Sequence, residues 1–364
     1  MKVIEKNLSN LTLNYPIDKL CNPNQTLFVD IETTGLHARS SSLYMIGCIY
    51  YAEQSYQLIQ WVSENYEDEI CILSAFAEFA GKYFTLIHFN GNTFDIPYLC
   101  EKMEQYDIDF SFEQFEGIDL FRRLSPFKRF LKLPNCKQQT LEDFLHNERV
   151  DHTQGGDLIP LYHEYAISHQ EDTLQILLQH NESDLKGLID ICSLLSVHDL
   201  FYEPLRVVKV QANYYQDING TPCPEILMDI KLPTPLPIAI NYHANDCYFR
   251  GEGKSCNLRV PIYEEEMKYF YSNYKDYYYL PVEDIAIHKT VAAYVDKDFR
   301  ETAHASNCYT RKTSKFLPQW DVLFTPFFKR DYQSKELFFE LTNELKTQRE
   351  SFNLYAQHVL QSMI

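Results

Sequence analysis

Two acidic side chains sit inside an otherwise apolar strand in Thr26-Leu-Phe-Val-Asp-Ile-Glu-Thr-Thr-Gly35, and any fold of this chain must find a place for them. Residues 26–31 are rich in β-branched and aromatic side chains and read as a strand. Asp30 and Glu32 lie two apart, so both point to one face of that strand before it enters the turn at Thr33, Thr34 and Gly35. Like charges this close repel, and a divalent cation offsets the repulsion best. An all-oxygen set suits Mg²⁺ or Mn²⁺ rather than zinc. Two solvated carboxylates beside a turn account for the pair equally well, so the rest of the chain must decide.

A polar N-terminal arm (residues 1–25) precedes this strand, and residues 43–51 and 56–62 predict two more strands in a meander. The helical period of Ile72, Ala75, Phe76 and Phe79 predicts a helix over 68–82, followed by a buried strand at 84–89. A helix after Pro97, a strand over 115–121 and helices over 140–145, 160–168, 173–179 and 182–195 complete an α/β layer built on a mixed sheet. Past residue 200 the pattern turns to Pro-punctuated alternation, with short antiparallel strands at 205–214 and 226–238. Helices over 264–274 and 282–295 and a long amphipathic segment over 334–363 follow. The expected organisation is an arm (1–25), an α/β domain (26–200) and an α+β region (201–364).

The 364 residues suffice for two domains with cores of their own, and 45% hydrophobic with 23% charged residues is ordinary globular composition. No apolar run reaches the ~18 residues of a membrane span, and Met1-Lys2-Val3-Ile4-Glu5-Lys6 lacks the apolar centre of a signal peptide. The expectation is a cytoplasmic protein with no membrane partner. Ten scattered cysteines without a CxxC pair indicate neither a zinc ribbon nor a disulfide framework, and read as buried free thiols. The net charge of −18 excludes attraction of nucleic acid by bulk charge; residues 1–200 carry −16 of it and residues 201–364 only −2. A polyanionic substrate therefore needs local help.

Two further acids stand in telling places. Asp95 follows an apolar strand in Phe89-Asn-Gly-Asn-Thr-Phe-Asp95 and opens a helix, where a simple N-cap would look the same. Asp184 ends His180-Asn-Glu-Ser-Asp184; His180 shares its face if the segment is helical, whereas Asn181 and Asp184 also have the spacing of a capping box that starts a helix there. Each acid alone has a bland explanation. Together, in this order, the run from about Thr26 to Leu195 resembles the DEDD 3′-to-5′ exonucleases, and within them the YprB-type ribonuclease H-like domain. The smaller pieces Ile118-Asp-Leu120, Leu133-Pro134 leading to Thr140-Leu141-Glu142, and Arg149 to Asp151 leading to Gly156 and Tyr162 fit as well.

The resemblance implies a ribonuclease H-like mixed sheet flanked by helices. It also implies that Asp30, Glu32, Asp95 and Asp184 hold two Mg²⁺ or Mn²⁺ ions, with Asp95 acting in part through coordinated water. His180 would take the proton of the attacking water, although it stands four residues before Asp184 where a histidine base in the family usually stands five before. The activity implied is 3′-to-5′ hydrolysis at single-stranded nucleic-acid ends, with Thr33, Thr34, Leu36, Asn90 and Phe94 around the terminal nucleotide. A structure-dependent endonuclease and a non-catalytic nucleic-acid-binding module are the alternatives. Residues 122–137 carry six basic groups and no acidic one, among them Arg122, Arg123, Lys128 and Arg129, with Phe127 and Phe130 interleaved; this composition suits a strand's phosphates, as it does a solvated loop. Tyr309-Thr-Arg-Lys-Thr-Ser-Lys-Phe316 has a weaker form of the same mixture. Nothing in these motifs separates DNA from RNA.

Overall fold

The structure, a computed structural model, describes residues 1–146, 155–216 and 218–364. The piece from Arg149 to Asp151 lies outside the described residues. The chain comprises two compact units, residues 1–199 with 236–238 and residues 200–235 with 239–364.

The first unit is a six-stranded mixed sheet in the order β1-β4-β3-β2-β5-β6. The strands are β1 (Lys2–Leu8), β2 (Thr26–Thr33), β3 (Leu43–Ala52), β4 (Ser55–Val62), β5 (Thr85–His88) and β6 (Glu116–Asp119), and the helices are α1 (Glu69–Ala80), α2 (Asp95–Gln105), α3 (Leu120–Leu124), α4 (Gln138–Phe144), α5 (Gly155–Ser168), α6 (Glu171–Ile191) and α7 (Leu195–Tyr202). Strands β2, β5 and β6 run parallel, while β2, β3 and β4 alternate antiparallel as the meander predicts, and β1 pairs antiparallel with β4. Strand β2 is buried on both faces because it is central. Its odd-numbered side chains, Leu27, Val29 and Ile31, pack in one core with Ile72, Leu73 and Phe76 of α1 and Tyr98, Leu99 and Met103 of α2. Its even-numbered side chains, with Asp30 and Glu32 among them, are thereby turned to the other face, where α5 and α6 pack through Leu158, Tyr162, Leu174, Leu177 and Leu178.

Two expectations about this unit are corrected. Residues 2–8 are not an arm but the edge strand β1, paired with β4 from Lys2 opposite Val62 to Leu8 opposite Tyr56. Its lysines reach α6, Lys2 to Glu171 at 2.8 Å and Lys6 to Glu182 at 2.6 Å, which also blunts the exposed edge. Burial raises the Glu182 carboxyl, but hydrogen bonds from Lys186 and Lys6 outweigh it and hold the group below its ordinary value. The second correction concerns residues 171–191, which form one helix rather than two. The polar run around Asn181 resembles a cap in sequence, yet Asn181 spends its amide on β2 and β4, and Ser183 Oγ donates to the Gln179 carbonyl within the helix. No break is needed.

Close approach of α6 to the sheet depends on Gly47. It lies opposite Asp30 in the β2–β3 register, and a Cβ there would stand 1.9 Å from Asn181 Oδ1 and 2.7 Å from Leu185 Cδ1. Gly47→Ala is therefore expected to destabilise the domain by about 1–3 kcal/mol through overpacking, seen as a lower midpoint in chemical denaturation; an unchanged midpoint would show that α6 can move away without cost.

The second unit holds three sheets, built from β7 (Arg206–Gln216), β8 (Pro222–Ala244), β9 (Cys247–Pro261), β10 (Tyr263–Phe270), β11 (Tyr277–Leu280), β12 (Ile285–His288), β13 (Glu301–Thr302), β14 (Tyr309–Gln319), β15 (Phe327–Phe328) and β16 (Leu337–Glu340), with α8 (Asn343–Thr347) and α9 (Arg349–Gln361) at the end. The orders are β7-β8-β9, β10-β14-β16-β15 and β12-β11-β13. The helices expected over 264–274 and 282–295 are instead strands β10 and β12 with short turns. Long-range pairing overrides local propensity here: Glu264 lies opposite Lys315 and Phe270 opposite Tyr309 across β10 and β14. The amphipathic segment 334–363 likewise divides into β16 and the two helices, and Phe352, Tyr355 and Val359 form the buried face of α9.

Candidate active site

Side-chain alternation in β2 delivers Asp30 and Glu32 to the face covered by α6, and α6 answers with consecutive residues. Asn181 Nδ2 donates to Asp30 Oδ2 at 2.8 Å. His180 Nε2 lies 3.9 Å from Glu32 Oε1 and 3.3 Å from Asp184 Oδ2, one helical turn along the same face. Ligating atoms of Glu32, His180 and Asp184 all fall within 4.8 Å of one another. Tyr44 of β3 donates to Glu32 Oε2 at 3.4 Å and is stacked on Tyr162 of α5, ring centroids 4.3 Å apart. Burial, with Glu32 adding to it, pushes the Tyr44 phenol well above its ordinary value, so it remains a donor.

Asp95 arrives from the other side of β2. The turn before it is shaped by Asn90, whose backbone adopts φ +58°, a left-handed conformation that asparagine tolerates. The Asn90 N–H donates to Asp119 Oδ1 at 3.0 Å at the end of β6. The chain then enters α2 with Asp95 as first residue, its carboxyl facing its own N–H and that of Ile31. Burial pushes this carboxyl up to about 7, with Asp119 adding to the rise and the two N–H groups opposing it. Beside the turn, burial lowers His88, which keeps a neutral ring whose Nδ1 accepts from Gly91 at 3.1 Å.

Asp30 and Asp95 stand outside the group of three but share a cleft of about 580 Å³ walled by Leu36, Phe89, Phe94 and Phe121, with Asn90, Lys137 and Gln138 also lining it. The structure brings Glu32, His180 and Asp184 into one group and places Asp30 and Asp95 together on the lining of the cleft; Asn181, beside His180 on α6, joins the first set to Asp30. The ligand atoms on offer are four carboxylates and one imidazole, with Glu32, Asp95 and His180 buried. Such a set fits a hard divalent cation.

Other candidates fare differently. Thr33 and Thr34 brace the turn: Thr33 Oγ1 donates to the Gly35 carbonyl, Thr34 Oγ1 accepts from the Ser42 N–H, and the Thr34 N–H reaches the Ser42 carbonyl. Buried Lys102, paired with Glu69 at 2.9 Å, donates to the Ser41 carbonyl and anchors the same loop. Leu36 is left 78% exposed on the cleft. In the basic segment, Phe127 and Phe130 are fully buried core residues and cannot stack on a base, a correction to the interleaved reading. Arg122 lies 3.8 Å from Asp119. Lys128, Arg129, Lys132 and Lys137 are exposed and, among the described residues, make no ion pair. In the second unit Arg311, Lys312 and Lys315 are paired with Glu266, Glu340 and Glu264, and Tyr309 and Phe316 are buried, so that stretch is not a free stacking groove.

Sequence reasoning missed Gln60, Tyr44, Phe89, Phe121 and the true use of Asn181. One signal was available: Gln60 interrupts the apolar run Leu58-Ile59-Gln60-Trp61-Val62, and a polar residue buried there needs a partner. The others give no local sign.

Solved structures that the chain resembles include the family B DNA polymerase from the hyperthermophilic archaeon Pyrobaculum calidifontis, at 14% identity over 49% of this chain and 26% of the polymerase, TM-score 0.40. E. coli Exonuclease I in complex with a dT13 oligonucleotide matches at 11% identity over 57% of this chain and 54% of that one, TM-score 0.32. The zinc-ion-bound form of the E. coli ExoI–ssDNA complex matches at 13% identity over 58% and 55%, TM-score 0.28. The chain therefore spans between 26% and 55% of the length of these proteins. Among curated proteins, none matches. The RNase_H superfamily matches over residues 27–196, the stretch that contains β2 to β6, α6 and every residue of the site, and this part of the chain is an RNase_H superfamily domain.

Proposed function

We propose that the protein is a metal-dependent nuclease of the DEDD type that hydrolyses single-stranded nucleic-acid ends in the 3′-to-5′ direction, releasing nucleoside monophosphates. The observation that carries the reading is the convergence of Glu32, His180 and Asp184 within 4.8 Å, next to a cleft that Asp30 and Asp95 line. Asp30, Glu32, Asp95 and Asp184 would hold two Mg²⁺ or Mn²⁺ ions. When bound, paired divalent cations neutralise the charge that develops on the attacking and leaving oxygens of an in-line displacement.

The chain's own groups supply the rest. His180 Nε2 is the proton acceptor for water: an imidazole that gains a proton there becomes a cation between Asp184 and Glu32, which stabilise it. Tyr44 orients the Glu32 carboxylate. Leu36, Phe89, Phe94 and Phe121 offer the apolar surface on which an unstacked terminal base rests, which favours single strands. Lys137 in the cleft wall, with Lys128, Arg129 and Lys132 as surface cations that make no ion pair among the described residues, gives an acidic protein the local attraction that a polyanion needs. The ten unpaired cysteines suit a cytoplasmic setting.

The test is incubation of the purified protein with end-labelled linear and circular DNA and RNA, in Mn²⁺, Mg²⁺ or EDTA. The expected result is stepwise shortening of linear single strands with a divalent ion and none in EDTA. Cleavage of circles would turn the reading to an endonuclease, and binding without cleavage in every metal would turn it to a non-catalytic module.

A further inference from the structure

We infer that Asn181, held by Gln60, is a positioning residue that sets the orientation of the Asp30 carboxylate for cation binding; this rests on the metal-dependent reading above. Gln60 Nε2 donates to the Leu178 carbonyl at 3.0 Å and to Asn181 Oδ1 at 2.9 Å. A carbonyl only accepts, so the Gln60 amide must present its NH₂ to both. Asn181 must then turn its oxygen to Gln60 and its own NH₂ to Asp30, where it meets Oδ2 at 2.8 Å and the Asp30 carbonyl at 3.5 Å. The polarity of the chain of amides is fixed from its buried end, and the donor it aims at Asp30 cannot flip into an acceptor.

Gln60 and Asn181 are both fully buried. Gln60 Oε1, moreover, is buried with no hydrogen-bond partner among the described residues. A structure built only to pack α6 on the sheet would do better with apolar side chains at both positions, because a buried acceptor left unmade is unfavourable. What the amides give in return is direction. Gly47, which has no Cβ to fill the space, leaves the room in which Asn181 reaches β2. Groups that hold a metal's ligands in place are worth about 10–100-fold in metal affinity when removed.

The test measures Mn²⁺ binding to the full chain by titration calorimetry, well below the melting transition, with circular dichroism melts alongside. Asn181→Leu keeps the branched shape and the number of side-chain heavy atoms and removes the donor; it is expected to weaken Mn²⁺ binding by about 10–100-fold. Gln60→Met leaves Asn181 in place but frees its amide to turn, with an expected loss of about 3–10-fold, a part of that effect. A role confined to anchoring α6 lowers the melting temperature and leaves Mn²⁺ affinity of the folded protein unchanged. Wild-type affinity in folded Asn181→Leu overturns the inference; if that variant does not fold, wild-type affinity in Gln60→Met does so. Absence of Mn²⁺ binding in the unaltered protein would remove the metal-dependent reading itself, and this inference with it, and is a distinct result.

Discussion

An Asp30→Asn protein is expected to fold normally and to lose turnover on single-stranded ends by about 10³-fold or more. Asparagine matches aspartate in shape and can still accept the Asn181 amide that now reaches Oδ2, so the substitution removes a charge and little else. Cation-supplied stabilisation of an in-line displacement amounts to several kcal/mol, and each ~1.36 kcal/mol is tenfold in rate. Steady-state hydrolysis at saturating Mn²⁺, with a thermal melt as control for folding, reads the effect. Turnover within tenfold of the unaltered protein would mean that Asp30 does not hold the cation.

The second large effect belongs to His180. Its Nε2 is the nitrogen nearest both Asp184 and Glu32, and loss of a proton acceptor at such a position typically lowers turnover by about 10²–10⁴-fold. His180→Ala is expected to show that loss while its Mn²⁺ affinity stays near that of the unaltered protein, since the four carboxylates remain. Parallel kinetics and calorimetry separate two uses of the ring. A joint fall in turnover and affinity would assign His180 to the ligands, and near-normal turnover would end its role in the chemistry.

Some of the site was legible because its logic is local. Asp30 and Glu32 share a strand face by the two-residue period, and His180 and Asp184 share a helix face by the four-residue spacing. Asp95 follows strand and turn signals into the start of a helix as read. The same local reasoning misjudged the segment around Asn181, because a capping box and a polar helix face turned to a sheet use the same residue types. It also misjudged Phe127 and Phe130, whose basic neighbours point outward while the rings fill the core.

The sequence alone settles the main alternation of strands and helices in the first unit, the free state of the cysteines, and the placing of Asp30 and Glu32 near the end of β2 and of Asp95 at the start of α2, since backbone geometry and short spacings decide these; Asp184 instead lies inside α6, and five of the ten thiols, expected to be buried, are not. Only tertiary structure decided that residues 2–8 become an edge strand, that β10 and β12 are strands rather than helices, and that Asn181 aims its amide at Asp30. Those outcomes rest on partners far away in the chain: Asn181 meets Asp30 across 151 positions and Gln60 across 121. No local propensity carries that information, because the free energy that selects the conformation appears only when the distant surfaces meet and exclude water.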